Sequence, residues 1–343
     1  MPNIYEVARR AGVSASTVSR VLSRPGVVSP DTRRRVLETV ELMGYAPNSV
    51  ARNLRTRRSN KILVTVPDIS NPFFSLIIQG IEGAAQRAGY TVLLGNTQHE
   101  EKYEERYARM LKRKEADGLI FLGHRLPKAA AELVDAMAPR CAPVVHGCEY
   151  SPVLGVASVH IDNTAAAADA VEHLYSLGHR QIGIITGPLV SPLSRDRLHG
   201  VTTRSRAHDA EAQLIVRHGD FSLESGARLA ETLLDREDRP SAVFCFNDEM
   251  AIGLIAVAKR HGLKVPDDLS VVGFDDIRFA RHFDPPLTTI AQPMRDIGEG
   301  TVRLLLEILN GDEIKPVSVT LPHQLTLRAS TAPPRASRSI PAQ

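Results

Sequence analysis

Residues 3–59 read NIYEVARRAGVSASTVSRVLSRPGVVSPDTRRRVLETVELMGYAPNSVARNLRTRRS. Ile4, Val7, Ala8 and Ala11 repeat at the i, i+3, i+4, i+7 spacing of one helical face, and Gly12 stands where a left-handed C-terminal cap belongs. Ser14 then serves as N-cap of a second helix whose inward face is Val18, Val21 and Leu22, with Ala15, Ser16, Ser19 and Arg20 turned the other way. Ser29, Pro30 and Asp31 open a third helix carrying Val36, Val40 and Met43, and Gly44 closes it. Three short helices with one shared core, the first two joined through Gly12 and Val13, match a helix-turn-helix. Such a unit lays its second helix in the major groove of DNA.

Charge supports the same reading. The chain has 343 residues, 42 Lys and Arg against 39 Asp and Glu, a net of +3. Its first 60 residues hold eleven arginines, no lysine and four acids, a surplus of seven positive charges that leaves the remainder at −4. A basic head on a mildly acidic body suits a polyanion-binding module mounted on a carrier that binds something else. A solvated charged tail would have the same composition, and the helical pattern decides between the two.

The length exceeds what one core organises, so two or three domains are expected. No apolar run reaches the roughly 18 residues of a membrane helix, and the N-terminal residues lack a secretory h-region, so the expected location is the cytoplasm, with no membrane partner. Cys141, Cys148 and Cys245 are odd in number and include no C-x-x-C pair; they read as reduced core thiols, with Cys148 also placed to line a pocket. No metal site, cofactor or catalytic residue is indicated.

From Lys61 the texture changes. KILVTVP (61–67), TVLLGN (91–96), GLIFLG (118–123), PVVHG (143–147), QIGIITG (181–187), SAVFCF (241–246) and SVVGF (270–274) alternate with helical patterns. That alternation implies an α/β core of parallel sheets flanked by helices; two doubly wound parallel-sheet subdomains placed side by side would hold a ligand in the crevice at the carboxyl ends of the strands.

Residues 3–59 resemble the headpiece of the LacI/GalR family of bacterial repressors. VPDISNPFF (66–74), VHIDN (159–163), LGHRQIGIITGP (177–188), AVFCFNDEMAIG (242–253), LSVVGFDDI (269–277) and PPLTTIAQP (285–293) look like successive signatures of that family. VPDISNPFFSLIIQGIE (66–82) and LGHRLP (122–127) are most similar to its cytidine-repressor branch. The resemblance implies an all-α helix-turn-helix headpiece over 1–47, a hinge helix and linker over 48–60, and a periplasmic-binding-protein-like core over 61–330. That core would bind effector and dimerise, with one lobe from 61–161 and 291–322 and the other from 162–290 and 323–330. The tail 331–343, rich in Pro, Ser and Arg, is expected to be disordered.

By the same resemblance the recognition helix starts at Ser14, Ala15 and Ser16 stand at operator-dependent positions, and Arg20 reads guanine. A guanidinium can donate two hydrogen bonds to guanine O6 and N7, discrimination of roughly 1–3 kcal/mol, whereas Ala15 offers apolar contact to a thymine methyl. The hydroxyls of Tyr5, Ser14, Thr17, Ser19, Ser29 and Tyr45 suit phosphate oxygens, or equally helix caps and core hydrogen bonds. Residues 48–55 are too few for a stable isolated helix. In the family this segment, carrying Asn48, Ala51 and Leu54, folds on operator beside its twin, and the residue at Leu54 wedges into the minor groove. Arg55, Arg57 and Arg58 add salt-sensitive phosphate attraction.

For effector binding the resemblance points to Asp68, Asn71, Phe73, Phe74, Arg197, Phe221, Asn247, Asp275 and Gln292. Their types suit a nucleoside or a sugar: donors and acceptors for hydroxyls, aromatic faces for a ring. One of Phe73 and Phe74 is expected in the core. His146, Cys148 and Glu149, at another strand end, vary in the family and stay outside the set. One departure stands out: VTTRSRAHDAEAQL (201–214) lacks the amphipathic pattern of the corresponding helix, which would loosen the second lobe beside the pocket. The expected function is a homodimeric repressor on a pseudo-palindromic double-stranded operator in the bacterial nucleoid, with a small-molecule effector either releasing or favouring DNA. A solute-binding protein would share the body but has no use for the basic head. A nucleoside- or sugar-processing enzyme finds no support in any G-x-x-x-x-G-K-[ST], H-E-x-x-H or G-x-S-x-G string.

Overall fold

A computed structural model describes residues 2–23, 25–45, 58–149, 154–209, 214–311 and 316–335. The chain divides into two units, Met1–Ser59 and Asn60–Gln343.

The small unit holds α1 (Ile4–Arg10), α2 (Ala15–Ser23) and α3 (Pro30–Leu42). Asn3 and Glu6 form a reciprocal capping box that satisfies the first amides of α1. Gly12 follows α1 at φ 61°, a conformation that costs glycine little. The Ser14 hydroxyl accepts from the Thr17 amide at 3.2 Å, as an N-cap should. Ser29 departs from expectation: it stands at the N-cap of α3, but its hydroxyl donates to Thr32 Oγ1 at 3.0 Å and caps no amide. Val7, Ala8, Ala11, Val18, Val21 and Val36 are buried together, and Leu22, Val40 and Met43 pack at the margin of that core.

The large unit is built from two six-stranded sheets. The first has the order β11-β5-β4-β3-β1-β2, all parallel, from β1 (Lys61–Val66), β2 (Thr91–Asn96), β3 (Gly118–Phe121), β4 (Val144–Cys148), β5 (Ala157–Ile161) and β11 (Ser318–Leu321). The second runs β12-β10-β9-β8-β6-β7, from β6 (Ile182–Thr186), β7 (Leu214–His218), β8 (Ala242–Cys245), β9 (Ser270–Asp275), β10 (Thr288–Ala291) and β12 (Gln324–Thr326). Its edge strand β12 pairs antiparallel to β10, the one antiparallel pairing among the described strands. Helices α4 (Pro72–Arg87), α5 (Glu101–Lys112), α6 (Lys128–Met137) and α11 (Met294–Asn310) cover the first sheet; α7 (Asn163–Ser176), α8 (Pro192–His208), α9 (Leu223–Leu234) and α10 (Asp248–Arg260) cover the second. The chain crosses between lobes after β5, after β10 and after β11. Because β10 ends at Ala291, that residue belongs to the second sheet and not to the first lobe, where the sequence reading began its return at 291.

Residues 201–208 of the segment expected to be loose continue helix α8, and 210–213 lie outside the described residues. Ser194, Arg197, Gly200, Val201 and Ser205 form the buried stripe of α8, a small and polar stripe that hydrophobic periodicity does not register. A Cβ on Gly200 would lie 2.1 Å from the Thr164 carbonyl oxygen, so α8 and α7 meet backbone to backbone there. At the end of α8 the His208 ring stacks on Tyr175 with centroids 4.5 Å apart and meets Glu172 at 2.7 Å.

The tail expectation is also corrected at its start. Ser270 holds the Ala332 amide and carbonyl at 3.0 and 2.9 Å, His179 Nε2 donates to the same carbonyl at 2.9 Å, and Arg335 pairs with Asp268, so residues 331–335 are anchored on the second lobe. The other expected tail residues, 336–343, and the hinge residues Asn48, Ala51 and Leu54 lie outside the described residues. All three cysteines are free and buried.

Candidate functional site

In the headpiece, α2 turns Val18 and Val21 into the core and leaves Ser16 and Arg20 exposed. Ala15 is half-buried against that same core, so only part of its methyl surface is open. Ser14 Oγ lies 2.8 Å from Ser16 Oγ and 2.9 Å from Thr17 Oγ1, a hydroxyl cluster at the start of the helix. Tyr5 is 71% exposed, Ser19 is half-buried, Ser29 is exposed and Tyr45 packs beside the core. Among the described residues, the second helix therefore presents the Arg20 guanidinium, with several hydroxyls on and around it.

In the large unit, a cavity of about 600 Å³ opens at the carboxyl ends of the parallel strands of both sheets. Asp68 and Asn71 come from the loop after β1, Phe73 and Phe74 from α4, Arg197 from α8, and Phe221, Asn247 and Asp275 from the ends of β7, β8 and β9. Eight of the nine residues picked out from the sequence thus line one space. The ninth, Gln292, stands behind it: its amide donates to Asp275 Oδ1 at 2.8 Å and holds that carboxyl in place.

Each lining group is held by neighbours. Asn71 caps α4 by accepting from the Phe73 amide at 2.9 Å, and Ser70 donates its amide and hydroxyl to Asp68 Oδ1 at 2.8 and 2.7 Å. Phe73 is buried in the first-lobe core and meets Phe74 edge-on at 5.1 Å, so it is the more core-like of the pair. Asn247 caps α10 through the Met250 amide and donates to the Phe221 carbonyl at 2.8 Å. Phe221 lies so close over Gly187 that a Cβ there would sit 2.0 Å from its ring. Arg197 is fully enclosed: Nε donates to Asn163 Oδ1 at 2.8 Å, Nη1 to the Phe246 carbonyl, and the guanidinium lies over the Phe274 ring at 3.5 Å.

Backbone strain collects here too. His99, Cys148, Phe221 and Asp275 line the cavity at φ 58°, 72°, 72° and 112°, where side chains other than glycine are rare. Such outliers cluster at sites whose geometry is held by the surrounding fold.

Burial raises the acids. Desolvation pushes Asp275 up to about 7 against the opposing pull of Arg197 and the Gln292 hydrogen bond. Glu149 rises to about 7 for the same reason, although the Ser191 hydroxyl donates to its Oε1 at 3.0 Å; Oε2 is buried with no hydrogen-bond partner. Glu149 belongs to the first lobe and Ser191 to the second, so that bond spans the cleft. Glu249 reaches about 7 through desolvation and the charge of Asp68 across the opening. Desolvation lowers Arg197 to about 10, still charged at neutral pH.

Glu149, His124, Ser191 and Glu249, which the effector set omits, therefore join the cavity, as does Cys148, which was placed to line a pocket but kept out of that set. Glu149 and Cys148 had a visible signal in their strand-end position. His146, from the same strand end, is turned away: it stacks on Phe121 at 4.1 Å, and Nε2 donates to the Gly123 carbonyl at 3.0 Å. Desolvation drops its pKa to about 3, so it is a neutral core residue. On the second-lobe surface Glu231, Asp235 and His261 meet, but the two His261 nitrogens face different carboxylates at 2.5 and 3.6 Å. The histidine thus bridges the two acids at the surface of the lobe. No helix among the described residues is long and apolar enough to cross a membrane.

Comparison with known proteins gives the same two parts. The family model for bacterial regulatory proteins, lacI family, matches residues 3–48, and that for a periplasmic binding protein-like domain matches residues 171–331. The HTH-type transcriptional repressor CytR of Escherichia coli (strain K12) is 44% identical over 328 residues, 95% of each chain. The chain belongs to the lacI family. The lac repressor dimer bound to operator and the anti-inducer ONPF superposes on this family member with a TM-score of 0.86 at 31% identity, over 96% of this chain and 99% of the other. The transcriptional regulator CelR in complex with cellobiose gives a TM-score of 0.72 at 31% identity, over 96% of this chain and 100% of the other. At the level these relatives share, the lacI-family protein described here is a DNA-binding transcriptional repressor under effector control.

Proposed function

We propose that this regulator binds a nucleoside or a sugar between its two lobes and, as a homodimer in the bacterial cytoplasm and nucleoid, couples that event to binding of a pseudo-palindromic operator. The observation that carries the effector assignment is the convergence of eight strand-end residues around one cavity, with Gln292 behind Asp275. Asp68, Asn71, Arg197, Asn247 and Asp275 supply hydrogen bonds for hydroxyls; Phe73, Phe74 and Phe221 supply flat apolar surface for a ring. The Asp68 and Asp275 carboxyls act by holding ligand hydroxyls, and the protein performs no catalysis.

On the DNA side Arg20 reads guanine, Ser16 and the exposed part of Ala15 tune the operator, and Tyr5, Ser14, Thr17, Ser19, Ser29 and Tyr45 fix register on phosphates. Asn48, Ala51 and Leu54 form the hinge contacts. A dimer is required because two-fold symmetry matches a palindromic site and doubles a weak single-helix contact. Ligand acts by population shift: closing the lobes changes the spacing of the paired first lobes and so the fit of both headpieces to DNA. A thermal-shift screen of nucleosides and pentoses tests the effector assignment. A stabilising ligand whose effect disappears in Asp275→Ala supports it; stabilisation that survives that substitution places the ligand elsewhere.

A further inference from the structure

We propose that the cavity rejects anions: it takes uncharged, donor-rich ligands and excludes their phosphate esters, with Glu149, Glu249 and Asp275 setting that selectivity. The proposal rests on the nucleoside-or-sugar reading and narrows it. Six carboxyl groups line the space, those of Asp68, Glu149, Asp220, Glu224, Glu249 and Asp275. Against them stands the guanidinium of Arg197, and no lysine is among the lining residues. Two nitrogens of that guanidinium are already engaged by Asn163 and the Phe246 carbonyl. Of the two lining histidines, His124 is held below its ordinary value by desolvation and by Arg125, so it brings no positive charge at neutral pH.

The second device by which proteins hold phosphate is the row of free amides at a helix N-terminus. Four helices begin at this cavity, and three of them have an early amide taken by their own cap; the fourth, α8, opens on Ser191 and Pro192 without a side-chain cap, its first helical position being a proline that has no amide to offer. Asn71 accepts from the Phe73 amide, Ser222 from the Ser225 amide at 3.0 Å, and Asn247 from the Met250 amide at 3.0 Å. Asp220 adds a carboxylate at the start of α9, accepting from the Ser222 amide at 2.9 Å. A phosphate dianion would meet acceptors, whereas a hydroxyl or amine would find them in want of donors.

Proton linkage gives the selectivity a direction. Glu249 faces Asp68 and Glu224; Glu149 faces Ser191, Arg197, Asp196 and Arg195; Asp275 faces Arg197, Gln292 and Glu249. All three carboxyls reach about 7. A ligand that donates to them favours their ionised form, so its affinity rises with pH, while repulsion of an ester grows over the same range.

The test is calorimetric titration of the full chain with matched pairs at pH 6 and pH 8: ribose against ribose 5-phosphate, and the four common ribonucleosides against their 5′-monophosphates. Esters weaker than a binding parent by roughly tenfold or more, with a wider gap at pH 8, are expected. The Glu149→Gln/Glu249→Gln double variant should narrow that gap. An ester that binds as tightly as its parent at pH 8 overturns the proposal. Silence of every compound refutes the nucleoside-or-sugar reading, on which this proposal rests. Carboxyl ¹³C NMR of the labelled full chain, assigned with Glu149→Gln and Glu249→Gln singly, should show titration near neutrality; titration in the ordinary carboxylate range overturns the assignment of the wider gap at pH 8 to these groups.

Discussion

Arg20 and Glu149 show how one side chain carries a function by opposite means. Arg20 is exposed on the outer face of α2, and its value lies in contacts it has yet to make. Arg20→Ala should remove discrimination at one guanine of each half-site, a loss of roughly 1–3 kcal/mol, measured by competition between duplexes differing at that base. Equal weakening on every duplex would mean that Arg20 only touches phosphate. Glu149 is 5% exposed, and its cost is internal. Its folded pKa is raised, so the stability it contributes is present below the ordinary value of 4.5 and is lost as pH rises through about 7. Glu149→Gln should therefore gain on the parent in thermal unfolding between pH 5 and pH 8, by on the order of 3 kcal/mol at the upper end. A constant difference across that range would contradict the burial argument. Arg20 was legible in the sequence because helical periodicity places it on an outer face. The Glu149–Ser191 bond was not, because it joins residues of two lobes 42 positions apart in the chain. Gln292 was recognised as part of the site but not as a support for Asp275, since spacing says nothing about which of two neighbours stands in front.

Elements differ in how plainly they announce themselves. The headpiece helices could be read from apolar residues alone, since each buries such a stripe in a core shared by three. Val36 is completely buried there, and Val36→Ala should cost the headpiece about 2 kcal/mol, seen as a lower headpiece melting temperature with the core transition unmoved. Helix α8 could not be read in that way because its buried side is Ser194, Arg197, Gly200, Val201 and Ser205. What it needs is close approach, and the two glycines near it test that. At Gly200 a Cβ collides with the Thr164 backbone, so Gly200→Ala should destabilise the second lobe by roughly 1–3 kcal/mol. At Gly187 the obstacle is the half-buried Phe221 ring, which can swing away. Gly187→Ala should leave the melting temperature nearly unchanged and weaken ligand binding. The reverse ranking in paired thermal and binding measurements would show that α8 does not depend on that contact.

For the molecule as a whole, the division of labour follows from charge and sheet topology. A basic head of eleven arginines precedes a body with a deficit of positive charge, and the body gathers strand ends from two sheets into one acidic cavity. Affinity for any duplex should fall steeply with salt, since contacts to phosphate release counterions, whereas ligand affinity in the cavity should hardly respond. The first two crossings between lobes follow strands that carry a sequence signature, VHIDN at β5 and PPLTTIAQP at β10, whereas the crossing after β11 has none. The anchoring of residues 331–335 was not legible in the sequence, because it is made by backbone groups of Ala332 meeting Ser270 and His179, contacts that leave no mark on composition. The most direct test of effector-controlled DNA binding is fluorescence anisotropy of the purified chain on a duplex selected from a randomised pool, with and without a ligand that raises its melting temperature. The account predicts enrichment of a pseudo-palindrome, preferred over random duplex by at least about 10³, and a clear shift of the curve when the ligand is added. Equal binding to selected and random duplexes, or a curve indifferent to a ligand that demonstrably stabilises the protein, would contradict it.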